Sequence, residues 1–362
     1  VIGSTLFMTL IGGSVIAVLG VMMAEPMLKL LGTDAKVMHL SLPYVQWMLA
    51  GSPLLFVYII YTSILRGVGD SVTPLIALSL TSLIGLAVTP VLLKGYFGFP
   101  ALGIVAPAIA TILGYAAVLI FLGFYLNYKN HPLKIDARLL QSIRHDATLS
   151  KLILKLGIPT GIQMVTTSLA GLVIIGLVNH YGAHATAAYG AVNQVLNYIQ
   201  FPALSISIAA SIFAAQAIGA GKPDLLAKVT RTALGMNVIF TGSLITLAYL
   251  FSKYLMALFI TDHSVIELGQ QLLFIVLWAV LFFGASAIFA SIMRASGTVN
   301  VPMMINILTI ILIEVPCAYW FSSLWGLTGI WTAYALSFVC LCVLQASYYQ
   351  FVWKKTKIKV LI

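Results

Sequence analysis

Glu314 sits twelve residues after Pro302, inside ILTIILIEVPCAYWF at 307–321, a run with no other charged residue. An ionisable group in so apolar a stretch is costly unless it is paired, protonated or turned toward a water-filled cavity, and such positions mark ion or substrate pathways. The chemistry open to this carboxyl is to hold a cation or carry a proton. The structural alternative is a neutral Glu hydrogen-bonded to an adjacent helix. A second polar set repeats at helical spacing: Tyr189, Asn193, Asn197 and Gln200 are separated by four, four and three residues and fall on one helix face. Gln163, Thr166 and Thr167 share a face of the preceding apolar run, while Met303, Met304 and Asn306 open the run that carries Glu314. Polar stripes are expensive against lipid. They are expected to line a cavity, where a few polar groups orient a ligand inside an apolar wall, or to hydrogen-bond between helices.

The elements that must position these residues are membrane spans. Of 362 residues 61% are hydrophobic and 8% charged, and the mean hydropathy is +1.07, more apolar than a soluble chain of this length buries. A spanning helix takes roughly 20 apolar residues. Ten runs qualify, at 2–23, 39–64, 74–93, 101–126, 157–179, 186–218, 233–252, 266–292, 302–321 and 327–352. No alternating pattern of a membrane barrel is present, so the fold class is all-α and polytopic. The net charge of +10 would suit a nucleic-acid binder, but its distribution speaks for topology. With even-numbered gaps between spans on one side, fifteen of the nineteen Lys and Arg fall there, and only Lys29, Lys36, Lys94 and Lys253 fall opposite. This positive-inside bias places that side, with the C-terminus, in the cytoplasm, against anionic headgroups. Cys317, Cys340 and Cys342 lie within spans without metal-ligand spacing and read as small apolar residues. Trp47, Trp278, Tyr319, Trp320 and Trp331 fall mostly near span ends, as in an interfacial aromatic belt.

The polarity that remains is concentrated and duplicated. LRGVGDSVTP at 65–74 and MRASGTVNVP at 293–302 align at a shift of 228, laying Arg66 on Arg294, Gly69 on Gly297 and Pro74 on Pro302. The same shift lays Thr33 and Asp34 on Thr261 and Asp262, and a shift of 226 lays Gly103 and Ile104 on Gly329 and Ile330. The matched elements keep one orientation, so this is a parallel repeat about an axis along the membrane normal. Six spans follow residue 157 and four precede it, so the repeat implies two further helices before Val1. Gly67 and Gly69 are expected to end one helix with positive φ, Thr73 to cap the next, and Pro74 to fit its first turn. Arg66 and Arg294 are expected to reach lipid phosphate or helix-end carbonyls. Asp70 completes the loop, which reads as hinge and cap; without a following Gly-Lys-Ser/Thr it is no phosphate cradle. The polar stretch 127–156 carries Lys and Arg among Leu and Ile, the pattern of an amphipathic surface helix. His145-Asp146 within it lacks a nucleophile motif and reads as solvated linker. The domains are thus a four-helix bundle at 1–126, a basic linker at 127–156, a six-helix bundle at 157–352 and a basic tail at 353–362.

The Arg-Gly-x-Gly-Asp-x-x-Thr-Pro loop and its partner at 294–302, together with GIPTGIQ at 157–163, GAHATAAYGAVNQ at 182–194 and GAGK at 219–222, resemble the signature loops of multidrug and toxic compound extrusion (MATE) transporters over the whole chain. The resemblance implies two pseudo-symmetric six-helix bundles around a central cavity, of which this chain carries ten of twelve helices, with alternating access and export of amphipathic, often cationic compounds in exchange for protons or sodium ions. A family coupling carboxylate on the first helix falls outside the residues matched. The sodium-coupled branch places a Glu and an Asp at positions that hold Thr167 and about Phe283 here, which favours a proton-linked arrangement. No cofactor beyond the coupling ion, no metal and no nucleic acid is expected; the partners are small drug-like molecules and membrane lipids, the locale is a bacterial inner membrane, and the chain is expected to act as a monomer. Three other readings compete, one of them a non-transporting sensor. A lipid-linked oligosaccharide flippase of the same superfamily should show a cationic cavity. A membrane-embedded enzyme should show HExxH, paired intramembrane Asp, or a Ser with an intramembrane His, and the sequence has none of these.

Overall fold

The computed structural model describes residues 2–30, 33–134, 143 and 146–356. Leu31 and Gly32 beside the repeated Thr33-Asp34, residues 135–142, 144 and 145 of the linker (with Arg138, Arg144 and His145), and Lys357 and Lys359 of the tail lie outside the described residues. The linker expected at 127–156 is corrected at both ends, since 127 and 128 close the helix Ala106–Tyr128 and 147–156 open the helix Ala147–Asn179. The chain divides into two compact units, Val1–Leu154 and Lys155–Ile362.

The first unit consists of α1 (Ile2–Leu30), α2 (Ala35–Ala50), α3 (Ser52–Gly67), α4 (Val72–Lys94) and α5 (Ala106–Tyr128). The second holds α6 (Ala147–Asn179, which begins in the first), α7 (Ala183–Gly219), α8 (Leu225–Leu250), the short α9 (Ser252–Ala257), α10 (His263–Val276), α11 (Val280–Ala295), α12 (Asn300–Thr309), α13 (Val315–Trp325) and α14 (Leu327–Phe351). Among the described residues, nine helical stretches are long and apolar enough to cross a membrane, and α2 with α3 makes a tenth when taken as one broken span. These ten coincide with the ten expected runs. The protein is an all-α integral membrane protein, and the large apolar side chains on its outside, Leu86 at 74% and Phe124 at 75% exposure among them, are placed as a lipid-facing surface requires.

The run at 39–64 is not one straight helix: α2 and α3 meet at 44°. Pro53 in the first turn of α3 has no N–H for the Leu49 carbonyl, and its ring would crowd it. Gly51 at the break lies against Ile112 of α5, where a Cβ would overlap that side chain. The core of this unit gathers Tyr58, Tyr61 and Leu65 of α3 with Val118, Leu122 and Leu126 of α5.

The two signature loops share a left-handed glycine and two closing bonds. Gly69 and Gly297 have φ of +95° and +84°, conformations that an L side chain adopts only under strain. Gly69 N donates to Arg66 O at 3.0 Å and Gly297 N to Arg294 O at 2.9 Å. Asp70 N donates to Leu65 O at 3.0 Å and Thr298 N to Met293 O at 3.1 Å, so each pair closes the helix end before it. Two expectations need correction. Gly67 ends α3 in helical conformation, so Gly69 alone supplies the positive φ. The cap of α4 is Asp70 and not Thr73: Asp70 Oδ1 accepts from the amides of Val72 at 3.1 Å and Thr73 at 3.0 Å, because a carboxylate three residues before a helical amide reaches it where the buried Thr73 cannot.

Asp70 also faces the start of the linker. Its Oδ2 lies 3.6 Å from His131 Nε2, His131 Nδ1 accepts from the Leu133 amide at 3.1 Å, and the Tyr61 hydroxyl donates to Leu133 O at 2.6 Å. Burial would raise the Asp70 carboxyl, but the Thr73 hydroxyl and amide, His131 and the Val72 amide outweigh it and hold the group below its ordinary value. The sign follows. A carboxyl lowered by folding contributes its full stability above its unfolded pKa of about 4 and loses that contribution as pH falls through the lower folded value. Asp70→Ala is expected to cost about 1 kcal/mol, the usual worth of a helix cap, and to flatten the acid limb of stability; thermal melts of the purified variant between neutral pH and pH 3 check both.

Candidate functional site

A cavity of ≈ 330 Å³ lies within the second unit, walled by α6, α7, the end of α10, α11, α12 and α14 with the turn that joins α12 to α13. Glu314 enters it through a local change of helix type. Pro316 cannot donate to the Leu312 carbonyl, and the chain answers with a π turn at Ile310–Glu314, in which the amide of Val315 reaches Ile310 O, five residues back. Such bulges widen a helix by one residue and recur at functional sites. The span Asn300–Trp325 puts Glu314 fourteen residues from one end and eleven from the other, near mid-membrane. Its partner is on α14: the Ser337 hydroxyl lies 3.4 Å from Glu314 Oε2 and 3.0 Å from Tyr334 O. Tyr334 OH lies 3.2 Å from Tyr189 OH on α7, and Asn193 Nδ2 donates to Tyr189 O at 3.1 Å. Two separate polar contacts therefore hold this wall, Ser337 with the Glu314 carboxyl and the Tyr334 phenol with Tyr189 of the α7 stripe.

The stripe is where its spacing put it. Tyr189, Asn193, Asn197 and Gln200 all line this cavity, with Thr167 from α6 and Asn306 from α12. Phe283, at about the position where the resemblance puts the Asp of the sodium-coupled branch, is also in the wall. Gln163 and Thr166 are not in it and are corrected. Gln163 Oε1 accepts from Arg294 Nη2 at 2.9 Å, joining α6 to the second signature loop, and the Thr166 hydroxyl turns back to Ile162 O at 2.9 Å. Arg294 thus bonds a side chain and not a helix-end carbonyl, and Arg66 likewise donates to Ser63 Oγ at 2.8 Å.

Sequence reasoning missed the α14 wall: Trp331, Tyr334, Ser337, Phe338 and Leu341. Trp331 is no belt residue. It is completely buried, its ring 5.5 Å from those of Tyr189 and Tyr334, whereas Trp47, Trp278, Tyr319 and Trp320 are exposed. The available signal was the spacing of 331, 334, 338 and 341, which puts aromatic and aliphatic residues on one face. Proximity of Trp331 to the span end obscured it. Among the residues lining this cavity Glu314 is the only acid, and no Lys or Arg is among them.

The MatE family model matches residues 1–91 and 159–320, well over half of the chain. The chain belongs to the MATE family. Among relatives of this MATE protein, the probable multidrug resistance protein YoeA of Bacillus subtilis is 43% identical over 364 residues, covering 100% of this chain and 79% of that protein. A FAD transporter of Shewanella oneidensis is 28% identical over 325 residues, covering 90% and 71%. Of solved structures, a mutant of the Vibrio cholerae MATE transporter VcmN superposes with a TM-score of 0.86 at 19% identity over 99% of this chain and 80% of that one. A Pyrococcus furiosus transporter of the MOP superfamily gives 0.87 at 18% identity over 98% and 79%. At such identity the superpositions establish the fold, and this MATE chain shares it.

Proposed function

We propose that this protein is a secondary active exporter of small amphipathic cations, working by alternating access and driven by protons, with Glu314 as a coupling group. The observation that carries the reading is the cavity itself, aromatic and apolar walls around one mid-membrane carboxylate with no basic side chain beside it. An apolar wall gives affinity, the amides and hydroxyls of the α7 stripe give orientation, and a carboxyl surrounded by rings attracts a cation and is indifferent or hostile to an anion. YoeA is named as a multidrug resistance protein, which agrees. The same absence of basic wall residues weighs against an oligosaccharide flippase and against an anionic cargo like that of the Shewanella relative. The positive-inside count supports a C-terminus in the cytoplasm of a bacterial inner membrane.

The test is efflux from everted vesicles with a proton or a sodium gradient imposed in turn, offering a fluorescent cationic dye and, separately, FAD. Proton-driven movement of the dye supports the reading. Movement of FAD alone would replace it with export of an anionic cofactor. Asn193→Leu with Asn197→Leu is expected to change the ranking of dyes by about tenfold, the effect of one or two lost hydrogen bonds at roughly 1 kcal/mol each; unchanged ranking with reduced protein yield would assign the stripe to helix packing.

A further inference from the structure

A second opening of ≈ 480 Å³ lies between α7 and α8, apart from the Glu314 cavity. Both helices contribute stripes at fourfold spacing, 205, 209 and 213 on α7 and 228, 232 and 236 on α8. Ala209, Ala210 and Ala233 keep the floor low, so that a groove forms where two ridges would otherwise meet. Its rim is open, with Phe213 at 60% and Met236 at 42% exposure. What distinguishes it from ordinary lipid-facing surface is the order along α8: Lys228, then Thr232, then Met236, charged, hydroxylated and apolar in successive turns away from the 220–224 turn. Lys228 is the only charged residue in the lining. The eight residue steps from Lys228 to Met236 span about 12 Å of helix, close to one leaflet of a hydrocarbon core about 30 Å thick.

We propose that this groove is a binding site for one anionic phospholipid of the leaflet that meets the basic loops. Lys228 holds the phosphate, Thr232 reaches the ester level, and one acyl chain lies between Phe213 and Met236. The charge around the mouth agrees: Lys222 and Arg231 flank Lys228 within the turn and the first two turns of α8, against Asp224 alone. A Lys at this depth keeps its ammonium at the headgroup level while its stem covers the groove, and each cation near an anionic surface adds to attraction for that surface. The site is independent of what the protein transports, and it concerns lipid as ligand and not as cargo.

The experiment places a reporter in the groove, Phe213→Trp, in the full chain reconstituted in vesicles, and reads quenching by phospholipids brominated at mid-chain. The same protein without the reporter corrects for the six native Trp residues. Brominated phosphatidylglycerol is expected to quench the reporter at a mole fraction several-fold lower than brominated phosphatidylcholine, and Lys228→Gln is expected to remove that preference while quenching itself persists. Equal quenching by the two lipids would reduce the groove to ordinary annular surface. A preference that survives Lys228→Gln would take the headgroup site elsewhere. Quenching by neither lipid would mean that protein covers the groove. Each of these three outcomes overturns the proposal. Native mass spectrometry of the parent and Lys228→Gln proteins reads retained phosphatidylglycerol without the reporter; loss of the retained lipid in the variant supports the site, and equal retention refutes it.

Discussion

Glu314→Gln is expected to abolish the response of transport to an imposed proton gradient while leaving the protein folded and its cavity intact. Gln matches Glu in shape and can still meet Ser337, so the change removes ionisation and little else. The geometry gives ionisation something to act on. Ser337 has one hydroxyl proton and two acceptors in reach, Tyr334 O at 3.0 Å and Glu314 Oε2 at 3.4 Å. An ionised Glu314 draws that proton to itself. A protonated Glu314 donates to Ser337 Oγ, which then donates to Tyr334 O, so ionisation of Glu314 decides which bond ties the π turn to α14. A protonation-dependent difference of 1–3 kcal/mol between two states shifts their ratio by 5–150-fold. Proton-driven dye efflux should therefore fall by about 100-fold in Glu314→Gln, at the upper end of that range, while dye binding measured by fluorescence loses its dependence on pH. Efflux that keeps its pH profile in the variant would remove Glu314 from coupling. Ser337→Ala separates relay from charge: it should shift the pH profile of efflux and keep proton drive.

Much of this arrangement is legible in the sequence, and the reasons differ from residue to residue. The spans were legible because apolar runs of twenty or more residues have few other uses. The α7 stripe was legible because four polar residues at helical spacing carry their own geometry. The identity of the loop cap was not, since Asp70 and Thr73 both suit a helix start and only the path of the chain after Gly69 decides which one reaches the amides. Gln163 illustrates the opposite failure. It shares a face with Thr167 and yet is claimed by Arg294, 131 residues away in sequence. No local pattern predicts such a pairing, because it depends on how α6 and α11 pack. The π turn at Ile310–Glu314 has a visible cause in Pro316, but whether a proline kinks, widens or ends a helix is settled by its neighbours.

Gly329→Ala is expected to be the most damaging single methyl in the second unit, and it tests what the repeat means. Gly103 and Gly329 are matched by the repeat, yet they are glycine for different reasons. Gly103 has φ of +53° with open space around its Cα; a side chain there is strained but not obstructed, and Asn, which tolerates the left-handed region, should be accepted. Gly329 lies in the first turn of α14, just after Gly326 reverses the chain from α13. A Cβ built on it runs into the carbonyl of Phe321 and comes within 2.8 Å of Ser322 N. These are backbone atoms of α13 and cannot rotate away, so α14 must move. Overpacking of this kind costs about 1–3 kcal/mol, and the displaced segment carries Trp331 and Tyr334 against Tyr189. Gly329→Ala should therefore lower the melting temperature in detergent and also weaken dye binding, whereas Gly103→Asn should do neither. If both variants melt alike, the two glycines share one physical role, and the close approach of α13 to α14 does not set the position of the cavity wall.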